Sequence, residues 1–160
     1  MLKELLLRKA NENDIKDLQS IFFETIYIIN SKHYTKQQIL VWASAANEQE
    51  KWNEIIKTQL VLIAEINQTT VGFITLTKES CVDLLYVHKD YQRRGIAKAI
   101  YREIEKECIR QSHKIIKANV SITARPFFEN MGFEMIAEQT VIRKGVALIN
   151  YKMEKELPVK

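Results

Sequence analysis

Between Val82 and Ser121 the hydrophobic pattern changes from strand to helix and back to strand. Val82 to Val87 is a run of mostly apolar residues, Ile96 to Gln111 carries apolar residues at every fourth position, and Ile115 to Ser121 is again typical of a strand. A strand, helix, strand connection of this length crosses over in the right-handed sense and makes the two strands parallel neighbours. The fold must therefore contain a sheet with a parallel pair.

Hairpin patterns flank this unit on both sides. They comprise Leu60 to Ile66 and Val71 to Thr77 before the unit, and Phe133 to Ile142 and Val146 to Met153 after it. A short strand around Leu5 and Leu7 precedes them all. Helices are predicted from Asn13 or Asp14 as N-cap to about Asn30, and over Thr35 to Ala45, Asn47 to Thr58 and Ala124 to Met131. The order predicts an α/β (α+β) fold with a mixed sheet and helices on its faces.

Composition favours one compact domain over residues 1–160. The 160 residues are 46% hydrophobic and contain no repeat or Pro/Gly/Ser linker. The longest apolar run, Leu60 to Ala64, is far shorter than the roughly 20 residues of a membrane-spanning helix. Because the N-terminus also lacks the pattern of a signal peptide, we expect a cytoplasmic protein with no membrane partner. Cys81 and Cys108 form no CxxC pair, so we expect reduced thiols and no metal site.

Several enzyme classes are excluded by residue positions. The glycines at 72, 95, 132 and 145 cannot form the GxGxxG, GxxxxGK[ST] or GxSxG motifs, and the histidines at 33, 88 and 113 form no HExxH. The formal charge of +4 favours an anionic ligand. Because the basic residues are interleaved with 20 acidic ones, a nucleic acid is not an expected partner.

The segment from Gln92 to Lys98 is the best candidate for an anion site. A strand ends there, a basic loop with a single glycine follows, and a helix begins at once. The start of a helix has about four unpaired N–H groups and a partial positive charge, so a diphosphate fits it. Arg93, Arg94 and Lys98 add charged donors. The alternative is a solvated basic loop in which Gly95 serves only the turn.

Two motifs resemble those of the GNAT superfamily of acyl-CoA N-acyltransferases. Residues 92–97, Gln-Arg-Arg-Gly-Ile-Ala, match its (Q/R)xxGx(G/A) pyrophosphate loop, and residues 121–133 resemble its later signature, NxxAxxxYxxxGF. The resemblance covers nearly the whole chain. Residues 34–43 also look like the helical insert of a poorly characterised bacterial branch. This resemblance implies a mostly antiparallel sheet whose parallel strand pair splays apart, with helices on both faces.

The resemblance further implies an N-acetyltransferase that uses acetyl-CoA and acts by direct transfer in a ternary complex. The acceptor would be a primary amine of a small molecule or peptide, and a homodimer is left open. A bulge near Leu84 and Leu85 would aim an N–H at the thioester carbonyl. The implied residues for coenzyme A are Leu85, Tyr86, Val87, Gln92, Arg93, Arg94, Gly95, Ile96, Ala97, Lys98 and Phe127.

Several residues are candidates for the base and the acid of the reaction. Asp83 is the candidate base, or else an anchor for a cationic amine. Phe128 stands where the family commonly has a tyrosine that protonates the departing thiolate, and Ser121, also a candidate catalytic residue, replaces an asparagine. Either the thiolate leaves without an acid, because a thiol pKa is near roughly 8.5, or another group supplies the proton. Tyr151, Tyr34 and Cys81 are the alternatives.

Aromatic residues before the first hairpin are candidates for the acceptor pocket. They are Tyr27, Tyr34 and Trp42, together with His33. Aromatic walls favour a cationic or flat substrate. The alternative is that these side chains only fix the helices in the core. The missing tyrosine also motivates a rival function, a non-catalytic regulatory protein that binds coenzyme A or its thioester.

Overall fold

The computed structural model describes residues 4–158 and places seven strands in one sheet. The strands are β1 (Leu5–Lys9), β2 (Leu60–Ile66), β3 (Thr69–Leu76), β4 (Cys81–Val87), β5 (Ile115–Ser121), β6 (Glu134–Arg143) and β7 (Val146–Glu156). Their order is β1-β2-β3-β4-β5-β7-β6. Every neighbouring pair is antiparallel except β4 and β5, which are parallel. The predicted crossover and both hairpins are confirmed.

Five α-helices cover the two faces of the sheet. They are α1 (Ile15–Ile28), α2 (Lys36–Ala43), α3 (Gln49–Thr58), α4 (Ile96–Arg110) and α5 (Arg125–Asn130). One face packs against α4 and α5, with Ile100 and Ile104 fully buried, and the other against α1, α2 and α3, with Phe22 and Trp52 at its centre. The α/β class with helices on both faces is therefore confirmed. Among residues 4–158, no helix is long and apolar enough to cross a membrane.

α1 begins directly after Asp14, one of the two predicted N-cap residues, but the Asp14 side chain makes no capping hydrogen bond to the helix. Instead, Asn11 and Asp14 form a capping box on a short 3₁₀ turn over Glu12–Asp14 that precedes the helix. The Asp14 carboxylate accepts from the Asn11 N–H and from the guanidinium of Arg8. Asp14 therefore joins the helix entry to β1 instead of capping α1.

The apolar second face of α1 is solvent-exposed. Phe22 and Ile26 are buried against the sheet, whereas Phe23, Tyr27 and Ile28 are among the exposed large apolar residues. Phe23 and Tyr27 contact each other, with ring centroids 4.7 Å apart. Only one face of this nearly all-apolar helix therefore meets the core.

The parallel pair separates soon after it begins. β4 and β5 are paired only at Cys81 with Lys117 and at Val82 with Ala118. The register of β3 and β4 shifts next to this point, since Thr75 opposes Leu84 and Leu76 opposes Val82, which leaves Asp83 as the extra residue of a β-bulge. A bulge bends its strand and increases its twist, so β4 turns away from β5 beyond Val82. A bulge is thus present near Leu84, where the resemblance implies one, with Asp83 as its extra residue.

Candidate active site

The space between the separated strands is a cavity of about 1270 Å³. Typical ligand pockets measure about 300 to 1,000 Å³, so this one can hold two substrates together. Its walls come from the ends of β4 and β5, the loop before α4, the segment joining α1 to α2, and the β6–β7 hairpin. Most of the residues predicted for the site line it.

At one end of the cavity lies the start of α4. Gly95 is the residue before the helix, at φ 81°, and no side chain of the described residues caps the first turn, which also contains no acidic residue. Only glycine adopts such a φ without strain, and Arg93, at φ 61°, shares the left-handed conformation. The N–H groups over Ile96 to Lys98 are therefore uncapped and can accept an anion, and the anion site at this position stays a prediction.

Gln92 lines the cavity, and its side chain holds the loop before α4 in place. Its side-chain amide donates to the carbonyl oxygen of Val87 at 2.6 Å, and the buried Thr25 hydroxyl donates to the same oxygen at 3.1 Å. The loop before α4 is thereby fastened to the end of β4, and α1 is fastened to it as well. Arg94 does not line the cavity; its guanidinium stacks on the ring of Tyr91 at 5.0 Å.

The edge of β4 that faces the gap presents main-chain groups to the cavity. His88 donates its N–H to Val71 of β3, so His88 faces β3. Because successive residues of a strand point their N–H and C=O groups to opposite edges, Val87 and Leu85 face the gap instead. With no partner strand beyond Val82, Leu85 is placed to pair with an extended ligand.

The side chain of Tyr86 lies on the face of the sheet that α1 covers. Its ring lies 5.0 Å from that of Phe22 and 5.8 Å from that of Phe73, with which it is stacked. Burial raises the pKa of Tyr86 far above its ordinary value, and the charge of Asp83 raises it further. The side chain lines the cavity as a neutral phenol.

Asp83 projects from the bulge into the cavity. Its carboxylate accepts a hydrogen bond of 3.0 Å from the side-chain amide of Gln59, whose own Oε1 is buried without a partner among the described residues. Among the described residues that line the cavity, Asp83 alone carries a carboxylate. Leu84 donates its N–H to the Thr75 hydroxyl at 3.0 Å, so that N–H is not directed at a ligand.

The candidate acids fall into two groups. Phe128 lines the cavity at 3% exposure and packs against Phe133, so the position of the usual tyrosine holds no hydroxyl. Tyr34 also lines the cavity, but its phenol donates to the Ile149 carbonyl at 2.8 Å and accepts from the Ile122 N–H at 2.9 Å. Burial raises the pKa of Tyr34 as well. The phenol proton of Tyr34 is therefore engaged in a hydrogen bond to Ile149 of β7.

Two further candidates lie away from the cavity. Tyr151 does not line it, and the guanidinium of Arg125 covers its ring at 4.5 Å. Cys81, half-buried at the start of β4, is also outside, and burial raises the pKa of its thiol. A thiol with a raised pKa is a weak nucleophile at neutral pH.

The remaining predicted residues are divided between the cavity and the surface. Ser121 lines the cavity, and its hydroxyl accepts from the Ala124 N–H at 3.1 Å. His33 bonds Thr123 across the mouth at 2.9 Å, and Trp42 packs on Tyr34 with centroids 5.1 Å apart. Tyr27 does not line the cavity, since it lies on the exposed face of α1. Phe127 lines the cavity.

The sequence alone did not single out the polar residues of the opposite end. Lys51 of α3 and Arg143 of β6 line it, as do the amides of Asn119, Gln139 and Asn150, which are bonded to one another through Gln139. These residues come from four elements far apart in the chain, and none belongs to a motif. In the described part of the chain, no group of three His, Cys, Asp or Glu side chains is arranged to hold a metal ion.

A mixed sheet opened at its parallel pair, with an uncapped helix start at the opening, defines an acyl-CoA-dependent transferase. The chain belongs to the GNAT family: residues 30–155 match the model described as an acetyltransferase (GNAT) domain. It is 33% identical over 152 residues to the uncharacterized N-acetyltransferase YafP of Escherichia coli (strain K12), covering 95% of this chain and 96% of that protein.

Solved structures agree with this assignment. A GCN5-related N-acetyltransferase from Rhodopseudomonas palustris is 31% identical, with a TM-score of 0.92 and 95% of each chain covered. The fold is also that of the PaiA N-acetyltransferase from Thermoplasma acidophilum, which was solved with coenzyme A; that protein is 21% identical, with a TM-score of 0.73 over 95% of this chain and 98% of the other. The protein is therefore an N-acetyltransferase of the GNAT family.

Proposed function

We propose that the protein, as one domain over residues 1–160 and in the cytoplasm, transfers acetyl directly from acetyl-CoA to a primary amine in a ternary complex. One observation supports this most strongly: a single cavity joins the uncapped start of α4 to the carboxylate of Asp83. Both substrates can therefore be bound at once, and no acyl-carrying nucleophile is needed. Cys81 lies outside the cavity.

The residues at the α4 end fit coenzyme A. The N–H groups from Gly95 to Lys98 would hold the diphosphate, with Arg93 and Lys98 adding charge. The gap-facing main-chain groups of Leu85 and the N–H of Val87 would pair with the extended pantetheine arm, which suits a strand edge without a partner. The Val87 carbonyl already accepts from Gln92 and Thr25. When bound, acetyl-CoA supplies the acetyl group as a reactive thioester.

Asp83 is proposed to receive the amine. An ammonium must lose a proton before it can act as a nucleophile, and a carboxylate at the bulge can orient the cation and take that proton. Gln59 fixes the carboxylate from behind, through the 3.0 Å hydrogen bond. Phe128 offers no proton and the Tyr34 proton is held by Ile149, so we propose that the thiolate leaves unprotonated. Its thiol pKa, near roughly 8.5, allows this.

The test is release of free thiol from acetyl-CoA across a panel of amino acids, polyamines, aminoglycosides and peptide N-termini. Acetylated product of the expected mass, formed in proportion to thiol, supports the proposal. The Gly95→Val variant, expected to lose coenzyme A affinity, measures the background. The buried Phe128 also favours a second candidate, a non-catalytic sensor of acetyl-CoA. Tight binding of acetyl-CoA without thiol release on any amine would support that candidate instead.

A further inference from the structure

We infer that the acceptor is an amine that also carries an oxyanion, such as an amino acid or an aminophosphonate, with the anion bound by Lys51 and Arg143 and the amine by Asp83. This inference rests on the proposed function, because it specifies the second substrate of the same cavity. It uses three charged side chains that line one cavity but come from α3, β4 and β6.

The charges of the cavity are strongly unbalanced. Five lysines and arginines line it against one carboxylate, that of Asp83. Arg93 and Lys98 belong to the proposed coenzyme end, at the start of α4, and Lys32 lies on the segment that joins α1 to α2. Lys51 and Arg143 belong to the opposite end, which we call the acceptor end. Because the proposed diphosphate site is at the start of α4, it does not account for these two cations. Two cations beside one carboxylate complement a ligand that has both a negative and a positive group.

Neither Lys51 nor Arg143 has an ion pair or a side-chain hydrogen bond within residues 4–158. Burial lowers the pKa of Lys51, Arg143 lowers it further, and Glu48 and Asp83 raise it. Lys51 therefore lies within electrostatic range of both Arg143 and Asp83. A half-buried ammonium next to another cation is stabilised when an anion binds to the pair.

The location of Lys51 gives no structural reason for a cation. It lies in the first turn of α3, where the helix dipole is positive and a carboxylate is the favoured side chain. The unfavourable dipole and the nearby Arg143 both act against its charge. A bound oxyanion would be attracted by all three sources of positive potential.

Arg143 is held at the cavity by contacts of the β6–β7 hairpin with α2. The next residue, Lys144, donates to the Ser44 hydroxyl at 2.9 Å, and Gln38 of α2 donates to the Ala147 carbonyl at 2.9 Å. The Tyr34 phenol adds the third contact, to Ile149. These contacts hold the hairpin against residues 34–44, and Arg143, the solvent-exposed last residue of β6, lines the cavity beside them.

The same charges disfavour a polyamine. A second ammonium, some distance from the one at Asp83, would approach Lys51 or Arg143, and the repulsion between like charges would weaken binding. A neutral monoamine would leave both cations unpaired. An oxyanion on the acceptor removes this cost and fixes its orientation, with the amine directed to Asp83.

The experiment compares acceptors that differ in one group. Amino acids with aliphatic and aromatic side chains are each assayed beside their carboxamides, and aminoalkylphosphonates beside amino alcohols of equal length, with spermidine as the polycation. The expected result is a kcat/KM at least about tenfold higher for the anionic member of a pair. The carboxamide amine is the less basic of the two, so this bias acts against the prediction. The carboxylate and phosphonate arms distinguish the two kinds of oxyanion.

Variants then assign the effect to the two cations. Lys51→Gln and Arg143→Gln should each reduce the anionic-to-neutral kcat/KM ratio by about tenfold, as expected for loss of a charged hydrogen bond. Lys57→Gln, a change of the same kind on the exposed side of α3, should keep the ratio. Coenzyme A affinity and the melting temperature of each variant show whether the fold is intact.

Calorimetric titration of the same pairs into the protein–coenzyme A complex gives a second measurement that does not depend on turnover. Tighter binding of the anionic member, lost in Arg143→Gln, supports the inference. Equal binding of both members, or tighter binding of spermidine, would overturn it. In those cases, acetyl transfer to any amine would leave the proposed function intact, whereas absence of transfer to every amine would count against that function alone.

Discussion

The side-chain amide of Gln92 donates a hydrogen bond of 2.6 Å to the carbonyl oxygen of Val87, joining the anion-binding loop to the end of β4. This contact fixes the position of the loop relative to the edge of β4 that faces the gap. Gln92→Ala should therefore weaken coenzyme A binding by about five- to tenfold, the value of one lost hydrogen bond. Isothermal titration measures it. Gln111→Ala, at the opposite end of α4, is the control, and an affinity equal in both variants would contradict the bracing role.

Gly95 should matter more for coenzyme A than any side chain of the loop. Its φ of 81° is strained for other residues, by about 1 to 3 kcal/mol, and the N–H groups that follow it are the proposed diphosphate ligands. Gly95→Val should reduce coenzyme A affinity well beyond the effect of Arg93→Ala, measured by calorimetry on the purified variants. Binding by Gly95→Val that matches the parent would remove the loop assignment.

Asp83→Asn tests the carboxylate at the bulge. If Asp83 accepts the proton, turnover should fall by about 10²-fold or more while coenzyme A affinity changes little. If Asp83 only anchors the ammonium, the loss should lie in the KM of the amine. Steady-state kinetics with a reactive amine separates the two, and Glu54→Gln, at an exposed position of α3 outside the cavity, is the control. Unchanged kcat and KM would place Asp83 outside the site.

The phenol of Tyr34 should be structural and that of Tyr151 dispensable. Tyr34→Phe leaves the Ile122 N–H without its acceptor and is expected to lower the free energy of unfolding by about 1 to 3 kcal/mol, measured by urea denaturation. Tyr151→Phe should change kcat by no more than several-fold, and Phe128→Tyr should be tolerated or mildly activating. A selective loss of about 10²-fold in kcat for either Tyr→Phe variant, with coenzyme A affinity intact, would identify an acid.

The pair formed by Arg8 and Asp14 predicts an acid limit of stability. The guanidinium holds the pKa of Asp14 below its ordinary value of 3.8, so the unfolded chain binds this proton first as pH falls. The stabilisation is complete above that value and is lost as pH drops through the lower, folded-state pKa. Asp14→Asn should lower stability at pH 7 by about 1.5 to 3 kcal/mol and flatten the decline below about pH 4. Urea unfolding across pH checks this, with the exposed Glu12→Gln as the control; a decline as steep as the parent's would contradict it.

The sequence by itself determined the elements and the coenzyme loop. The fourfold spacing of Ile96, Ile100 and Ile104 specifies a helix, and the apolar runs on either side of it specify strands, because these patterns act over a few residues. The loop at Gly95 is local in the same sense: a strand end, a left-handed glycine and a helix start are consecutive in the chain. Such features were therefore predictable without knowledge of distant contacts.

The acceptor end was decided only by the tertiary structure. The bulge at Asp83 depends on the register between β3 and β4, in which Thr75 opposes Leu84. No residue type near Asp83 predicts that register. Lys51 and Arg143 are 92 positions apart in the numbering and line one cavity only because α3 packs against β2 while β7 pairs with β5. The two charges form a candidate anion site only because both line this cavity. Long-range packing, and no local sequence pattern, brings them together.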